Sequence, residues 1–228
     1  MLILKKKAED VSSCDSIIAH LRDFPMNEAG VAPRIELGIA GASLGDGRVC
    51  FLDAEDNDVY DSFISFAKRN PGAGMVVISP RPSCVSGAGF AKRLIGEEEL
   101  ERNRIILFGL HCWSGEGKEF IESNRMRTFT MRQIEMNGLS DVLDGVTETL
   151  GEWPALHLHL DIGAADVSCA PAASSEPGGF TSRQLISVIQ RIKLLKNLRS
   201  VSVSGFDSSK DAGSITAKLA AKILVELC

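Results

Sequence analysis

At 228 residues and 44% hydrophobic side chains, the chain is long enough to bury a full core, and one α/β domain over residues 1–228 is expected rather than two small ones. The net charge of −5 comes from 25 basic and 30 acidic residues, the basic ones scattered apart from Lys5 to Lys7, which argues against nucleic acid as a main partner. No apolar run reaches the roughly 18 to 20 residues of a membrane helix, and MLILKKK places its charges after too short an apolar segment for a signal peptide, so a soluble, cytoplasmic protein without a membrane partner is expected.

Short apolar segments alternate with longer amphipathic ones, the pattern of strands joined by crossover helices in a mostly parallel sheet. Strands are expected at Leu2 to Leu4, Ile35 to Ile39, Val49 to Leu52, Met75 to Ile78, Ile105 to Gly109, Leu156 to Asp161 and Val201 to Phe206. Val59, Phe63, Phe66 and Ala67 share one face of a helix that Asn70, Pro71 and Gly72 terminate. The acidic run DAEDNDVYD, Asp53 to Asp61, lacks the glycine and the closing glutamate of a calcium loop, and is read as capping that helix through Asn57 or Asp58. The glycines of SGAG (Gly87, Gly89) and SGEG (Gly115, Gly117) are too few for a phosphate loop and are read as turns. Thr181 and Gln184 have capping-box spacing ahead of a stripe of Leu185, Val188, Ile189, Ile192 and Leu195. A last helix carries Ile215, Leu219, Ile223 and Leu227 at four-residue spacing. Six cysteines without any CxxC suit reduced, mostly buried thiols.

The segment with most chemistry is HLHLDIGAADVSCAP, His157 to Pro171. On a strand, alternate side chains share a face, so His157, His159 and Asp161 point the same way. Ligand sites in open α/β sheets lie beyond the carboxyl ends of the strands, which puts Asp161 at the mouth and His157 about 13 Å behind it, at roughly 3.3 Å per residue. Three metal ligands in a row would have to converge at one end, and these do not. His157 is therefore read as a core histidine, and His159 as a buried hydrogen-bonding group beside Asp161.

The run HLHLDIGAADVSCAPAASSEPGG followed by FTSRQL resembles the ureohydrolase signature (arginase, agmatinase, formiminoglutamase), SFDxDxxDPxxAPGTGTPxPGGLTxRE. It retains Asp161, Asp166, Ala170, Pro171, Pro177, Gly178, Gly179, Thr181 and Arg183, with one residue missing before Pro177. RIILFGLHCW resembles the family's IGIR-type strand, and DAGSITAKLAAKILVEL its last helix, with Thr216 and Ala217. The likeness runs from about Val49 to the C-terminus; the region before it is short for the family and matches poorly. The resemblance implies a three-layer α/β/α fold with a mostly parallel central sheet. It also implies hydrolysis of a guanidinium or related C–N bond by a hydroxide bridging two manganese ions, a pair that needs several carboxylates with histidines completing the shells.

Taken position by position, that ligand set is nearly absent. Asp161 keeps the first carboxylate of SFDxD, but Gly163 stands where the second should be. At the DAHxD motif the chain reads SPRPS, so Ser79 and Ser83 replace the aspartates and Arg81 the histidine. At GGDH, Asp56 takes the histidine's place. The loop CVSGAGFAKR lacks the family's histidine acid/base, and the substrate-binding glutamate falls near Gly205. Arg81 cannot ligate a cation. Two readings of it stay open: a pair with Asp161 or Asp56 in the emptied space, on a loop held extended by Pro80 and Pro82, or a solvent-facing side chain.

Two functions remain. One is a catalytically silent member with no metal expected, acting by homo-oligomer assembly, by hetero-oligomer assembly with an active relative, or by binding a ligand in a pocket lined by Asp56, Ser79, Arg81, Ser83, His159, Asp161, Gly163 and Asp166. The other is a manganese-dependent amidine hydrolase with a site rebuilt from Asp56, His159, Asp161, Asp166 and His111.

Overall fold

The computed structural model of the protein describes residues 2–6, 12–39, 48–52, 55–173 and 176–228. Among them, eight strands form one sheet: β1 Leu2–Lys6, β2 Ile35–Ile39, β3 Arg48–Leu52, β4 Gly74–Ile78, β5 Ile105–Leu110, β6 Arg127–Thr130, β7 Leu156–Asp161 and β8 Leu198–Ser204. Their order is β2-β1-β3-β8-β7-β4-β5-β6, and every pairing is parallel. The central strands β4, β5 and β7 are buried along nearly their whole length; β4 and β5 accordingly read as continuous apolar runs, while β7 alternates leucines with two buried histidines.

Helices cover both faces. On one, α2 (Asp56–Arg69), α3 (Phe90–Gly96) and α4 (Gly115–Ser123) bury Val59, Phe63, Phe90, Leu94 and Ile121 against Met75, Val77, Ile105 and Leu107. On the other, α1 (Ser12–Ala19), α5 (Met131–Asn137), α6 (Leu139–Gly151), α7 (Ser182–Lys193) and α8 (Ile215–Leu227) pack on Val76, Ile78, Leu158, Leu160, Val201 and Val203. The result is the expected three-layer α/β/α architecture with a parallel sheet.

Local chemistry sets the element ends. Thr181 Oγ1 accepts from the Gln184 N–H at 3.2 Å and Gln184 Oε1 accepts from the Thr181 N–H at 2.9 Å, closing the expected capping box on α7. The α2 helix begins earlier than its sequence suggests: Glu55 is the N-cap and Asp58, in the first turn, accepts the Glu55 N–H at 3.1 Å, while Asn57 instead accepts from Arg93 at 2.9 Å. Asp53 and Ala54, the start of that acidic run, lie outside the described residues. SGEG is not a free turn, because Ser114 caps α4 by accepting the Gly117 N–H at 3.1 Å, and both glycines belong to the helix. Strand β6 has no counterpart among the expected strands; it is a short edge strand, RTFT, with no apolar run to mark it. Expected β8 lies a few residues early, at Leu198–Ser204 rather than Val201–Phe206. No disulfide joins the six cysteines, and Cys14, Cys50 and Cys84 are buried. Among the described residues no helix is long and apolar enough to cross a membrane.

Strands β3, β8, β7 and β4 are consecutive neighbours at the middle of the sheet, so the segments that leave their carboxyl ends meet there.

Candidate functional site

Asp161 is the last residue of β7 and opens a short 3-10 turn, Ile162–Ala164, by accepting the Gly163 N–H at 2.8 Å. Two glycines press on its carboxylate. A β-carbon at Gly163 would stand 3.0 Å from Asp161 Oδ1 and 3.1 Å from the Ala173 carbonyl oxygen, and one at Gly205 would stand 2.0 Å from the same Oδ1. Gly205 also has φ +79, a conformation that glycine alone adopts without strain. Burial pushes the Asp161 carboxyl up to about 6, against the Gly163 hydrogen bond, and the negative charge of Asp56 pushes the same way.

Asp56, at the first position of α2, is exposed in area on the rim, yet partial desolvation raises its pKa too, opposed by Arg93 and by the Phe90 N–H. The Cys84 thiol lies buried within the field of both carboxylates, and burial is the main reason that its pKa is raised. Asp56 and Asp161 are thus the two candidate residues that the fold brings into mutual electrostatic reach.

The others are engaged elsewhere. Buried Ser79 bonds through its hydroxyl to the Arg81 carbonyl and accepts the Arg81 N–H at 3.2 Å, so this loop turns back on itself rather than running extended, and Pro82 (φ −78, ψ 41) leads it into a second turn, Ser83–Val85. Arg81 does not pair with Asp161 or Asp56: its guanidinium points outward, half exposed, and forms an ion pair with Glu176. Ser83 is exposed at the start of its turn. Asp166 folds onto its own loop, accepting from the Ser168 N–H at 2.9 Å, the Ser168 hydroxyl at 2.6 Å and the Gly178 N–H at 2.7 Å. Those bonds, the Ser168 hydroxyl first, hold its carboxyl at about 2.

The histidines sit deeper. His157 places Nδ1 2.9 Å from Ser200 Oγ and Nε2 2.9 Å from Ser202 Oγ, and its ring packs beside those of Phe63 and Phe66. His159 places Nδ1 2.8 Å from Ser202 Oγ and Nε2 3.3 Å from Ser204 Oγ, with Phe90 edge-on at 4.9 Å. Desolvation lowers their pKa values to about 3 and about 4, so both rings are neutral at physiological pH. His111, after β5, has Nδ1 3.1 Å from the Gly109 carbonyl, and its Nε2 is buried with no hydrogen-bond partner among the described residues.

A family model described as the arginase family matches residues 77–228, two thirds of the chain. The chain belongs to the arginase family. Within it, the arginase of Staphylococcus aureus (strain MRSA252) is 28% identical over 88 residues, 37% of this chain and only 29% of the relative's length. The formimidoylglutamase of Bacillus subtilis subsp. subtilis str. 168 superposes with a TM-score of 0.85 at 16% identity, covering 99% of this chain and 84% of the other. An arginase from Bacillus cereus gives 0.82 at 12% identity (99% and 97%), and proclavaminate amidino hydrolase from Streptomyces clavuligerus 0.82 at 14% (99% and 89%). At these identities the superpositions speak for the arginase fold alone.

The dimanganese pair that this family's resemblance implies does not fit the donor set present. Two hard cations need several convergent oxygen and imidazole ligands. Here the carboxylate position next to Asp161 is a glycine pressed against it, the histidine position is an outward-facing arginine, and both nitrogens of His159 are taken by serines. Among the described residues no group of three or more His, Cys, Asp or Glu side chains has an arrangement that could hold a metal ion.

Several residues that shape this region had not been singled out in the sequence. Ser200, Ser202 and Ser204 complete the histidine side chains, and their signal is the alternation SVSVS on the strand beside HLHLD. Glu176, the partner of Arg81, and Cys84 carried no local signal, since both arrive by way of loops.

Proposed function

We propose that this arginase-family protein is catalytically silent and acts by assembly or by binding a ligand in the pocket at Asp56 and Asp161. The observation that carries this reading is the packing around Asp161: Gly163, with no side chain to ligate, stands where the family resemblance puts a second carboxylate, and a β-carbon at Gly205 would meet the same Asp161 Oδ1 at 2.0 Å. Hydrolysis in this family depends on metal-activated water, and this pocket offers one desolvated carboxylate, a rim aspartate and a buried thiol. Asp56, Ser79, Arg81, Ser83, His159, Asp161, Gly163 and Asp166 are then read as what remains of the family's pocket. The whole chain, residues 1–228, is read as one domain, free in the cytoplasm, and the family likeness supports a homo-oligomer or a hetero-oligomer with an active relative.

The test is metal loading followed by assay. After incubation with excess manganese and desalting, the purified protein should carry far less than one manganese per chain and release no urea from arginine or agmatine. Stoichiometric manganese that disappears in Asp161→Ala, or urea release, would instead establish the rebuilt-site hydrolase. For the assembly part, native mass measurement of protein from its source should find a defined oligomer; a monomer would reject it.

A further inference from the structure

Strands β7 and β8 bury a chain of polar groups that neither the family likeness nor the silent reading uses. Their pairing shifts by one residue after Leu156, which pairs with Leu198 whereas His157 pairs with Ser200, so β8 bulges at Arg199. A one-residue shift moves a whole strand's side chains to the other face. Here it sets Ser200, Ser202 and Ser204 on the same side as His157, His159 and Asp161, with Asp161 opposite Ser204. The contacts then run without a break, Ser200 to His157 at 2.9 Å, His157 to Ser202 at 2.9 Å, Ser202 to His159 at 2.8 Å, and His159 to Ser204 at 3.3 Å. Four of the five members are buried, and Ser204 alone reaches the pocket, partly exposed.

Donor counting limits what such a chain can do. A neutral imidazole has one N–H donor and one acceptor nitrogen, and a serine hydroxyl has one hydrogen. Ser202 faces both His157 Nε2 and His159 Nδ1, so those two nitrogens cannot both be acceptors. Nor do both donate to Ser202 without cost, because its own hydrogen would then be buried with no acceptor among the described residues. Two arrangements remain. In one, both rings carry the hydrogen on Nε2 and every bond points towards Ser204. In the other, both carry it on Nδ1 and every bond points towards Ser200.

We propose that this chain is one directional unit, in which His157 and His159 share a single tautomer selected by the hydrogen-bonding demand at Ser204. An acceptor beside Ser204 draws its hydroxyl hydrogen outward and favours Nε2–H in both rings. A donor there favours Nδ1–H in both. The pocket end is thereby coupled to a ring two residues deeper in the core with no movement of the backbone.

Nitrogen-15 NMR of histidine-labelled protein near neutral pH reads the tautomer of each ring directly. In the unaltered protein, His157 and His159 should show the same tautomer. Ser204→Ala, at the accessible end, leaves His159 Nε2 without a partner; a hydrogen there would be buried with no acceptor, so in this variant both rings should be Nδ1–H together, whichever shared tautomer the unaltered protein has. Ser202→Ala breaks the chain, each ring should donate to its one remaining serine, and the result should be the combination forbidden before, Nδ1–H at His157 with Nε2–H at His159. Unlike tautomers at His157 and His159, in the unaltered protein or in Ser204→Ala, would overturn the proposal. Should Ser202→Ala fail to fold, the Ser204→Ala response still decides it.

Discussion

The loop that follows β7 and the loop that follows β4 leave neighbouring strands at the same edge of the sheet, yet they have fared differently. The first, Asp161 to Thr181, still contains the groups that build it: Asp166 ties the loop to itself through Ser168 and Gly178, Phe180 is buried against Phe108, and Thr181 starts α7. The second, Ser79 to Gly89, has serines and an arginine at the positions where the family resemblance puts metal ligands, and it is stabilised by a local turn and a surface ion pair. The residues that the first loop shares with the family resemblance are thus ones that hold backbone in place. Residues that would perform chemistry can be exchanged without disturbing that frame, which is why fold alone does not carry function.

This contrast can be broken or sharpened by substitution. Phe180→Ala should have the largest effect, because the ring is fully buried, stacks on Phe108 at 5.8 Å and covers Gly109; a loss of about 3–5 kcal/mol is expected in denaturant unfolding. A near-neutral result would mean that the first loop is not anchored as described. Asp166→Asn comes next and acts through pH. The Asp166 carboxyl is held at about 2 in the folded protein, so its contribution is present above the ordinary aspartate range and fades as pH falls from about 4 towards 2. The variant should lose stability at neutral pH and show a shallower acid limb over that window; parallel acid limbs would reject the role. Arg81→Ala should be the mildest, no more than about 1 kcal/mol, because an ion pair with a half-exposed guanidinium is worth little. A larger loss in a melting experiment would show that Arg81 supports the pocket after all.

Much of this frame was legible in the sequence for physical reasons. Buried parallel strands tend to be continuously apolar, so β4 and β5 announced themselves, β7 was marked by its leucines alternating with histidines, and the Thr181–Gln184 box located the start of α7 because its chemistry is local. β6 did not, since a half-exposed edge strand such as RTFT needs neither an apolar run nor alternation. The site was readable where it depended on strand depth, as for His157, which is fully buried between β-strand neighbours. It was not readable where partners come from distant loops. Glu176 pairs with Arg81 from the loop after β7, and Gly205 reaches Asp161 from the end of another strand. The serine ladder fell between these cases. SVSVS was visible, but only the bulge at Arg199 decides that its hydroxyls face the histidines.

Asp161→Asn, followed by denaturant unfolding with and without excess manganese, tests the silent reading of this site most directly. With its carboxyl raised by burial to about 6, Asp161 favours folding below about pH 4 and loses that contribution as pH rises through 6, because the charged form is poorly solvated in the folded protein. Asparagine keeps the oxygen that accepts the Gly163 N–H and carries no charge. The variant should therefore be more stable than the unaltered protein at pH 7, by about 1–3 kcal/mol, with the difference vanishing near pH 4 and with manganese stabilising neither protein. If manganese stabilises the unaltered protein and Asp161→Asn abolishes that gain, Asp161 is a working metal ligand and the silent reading fails.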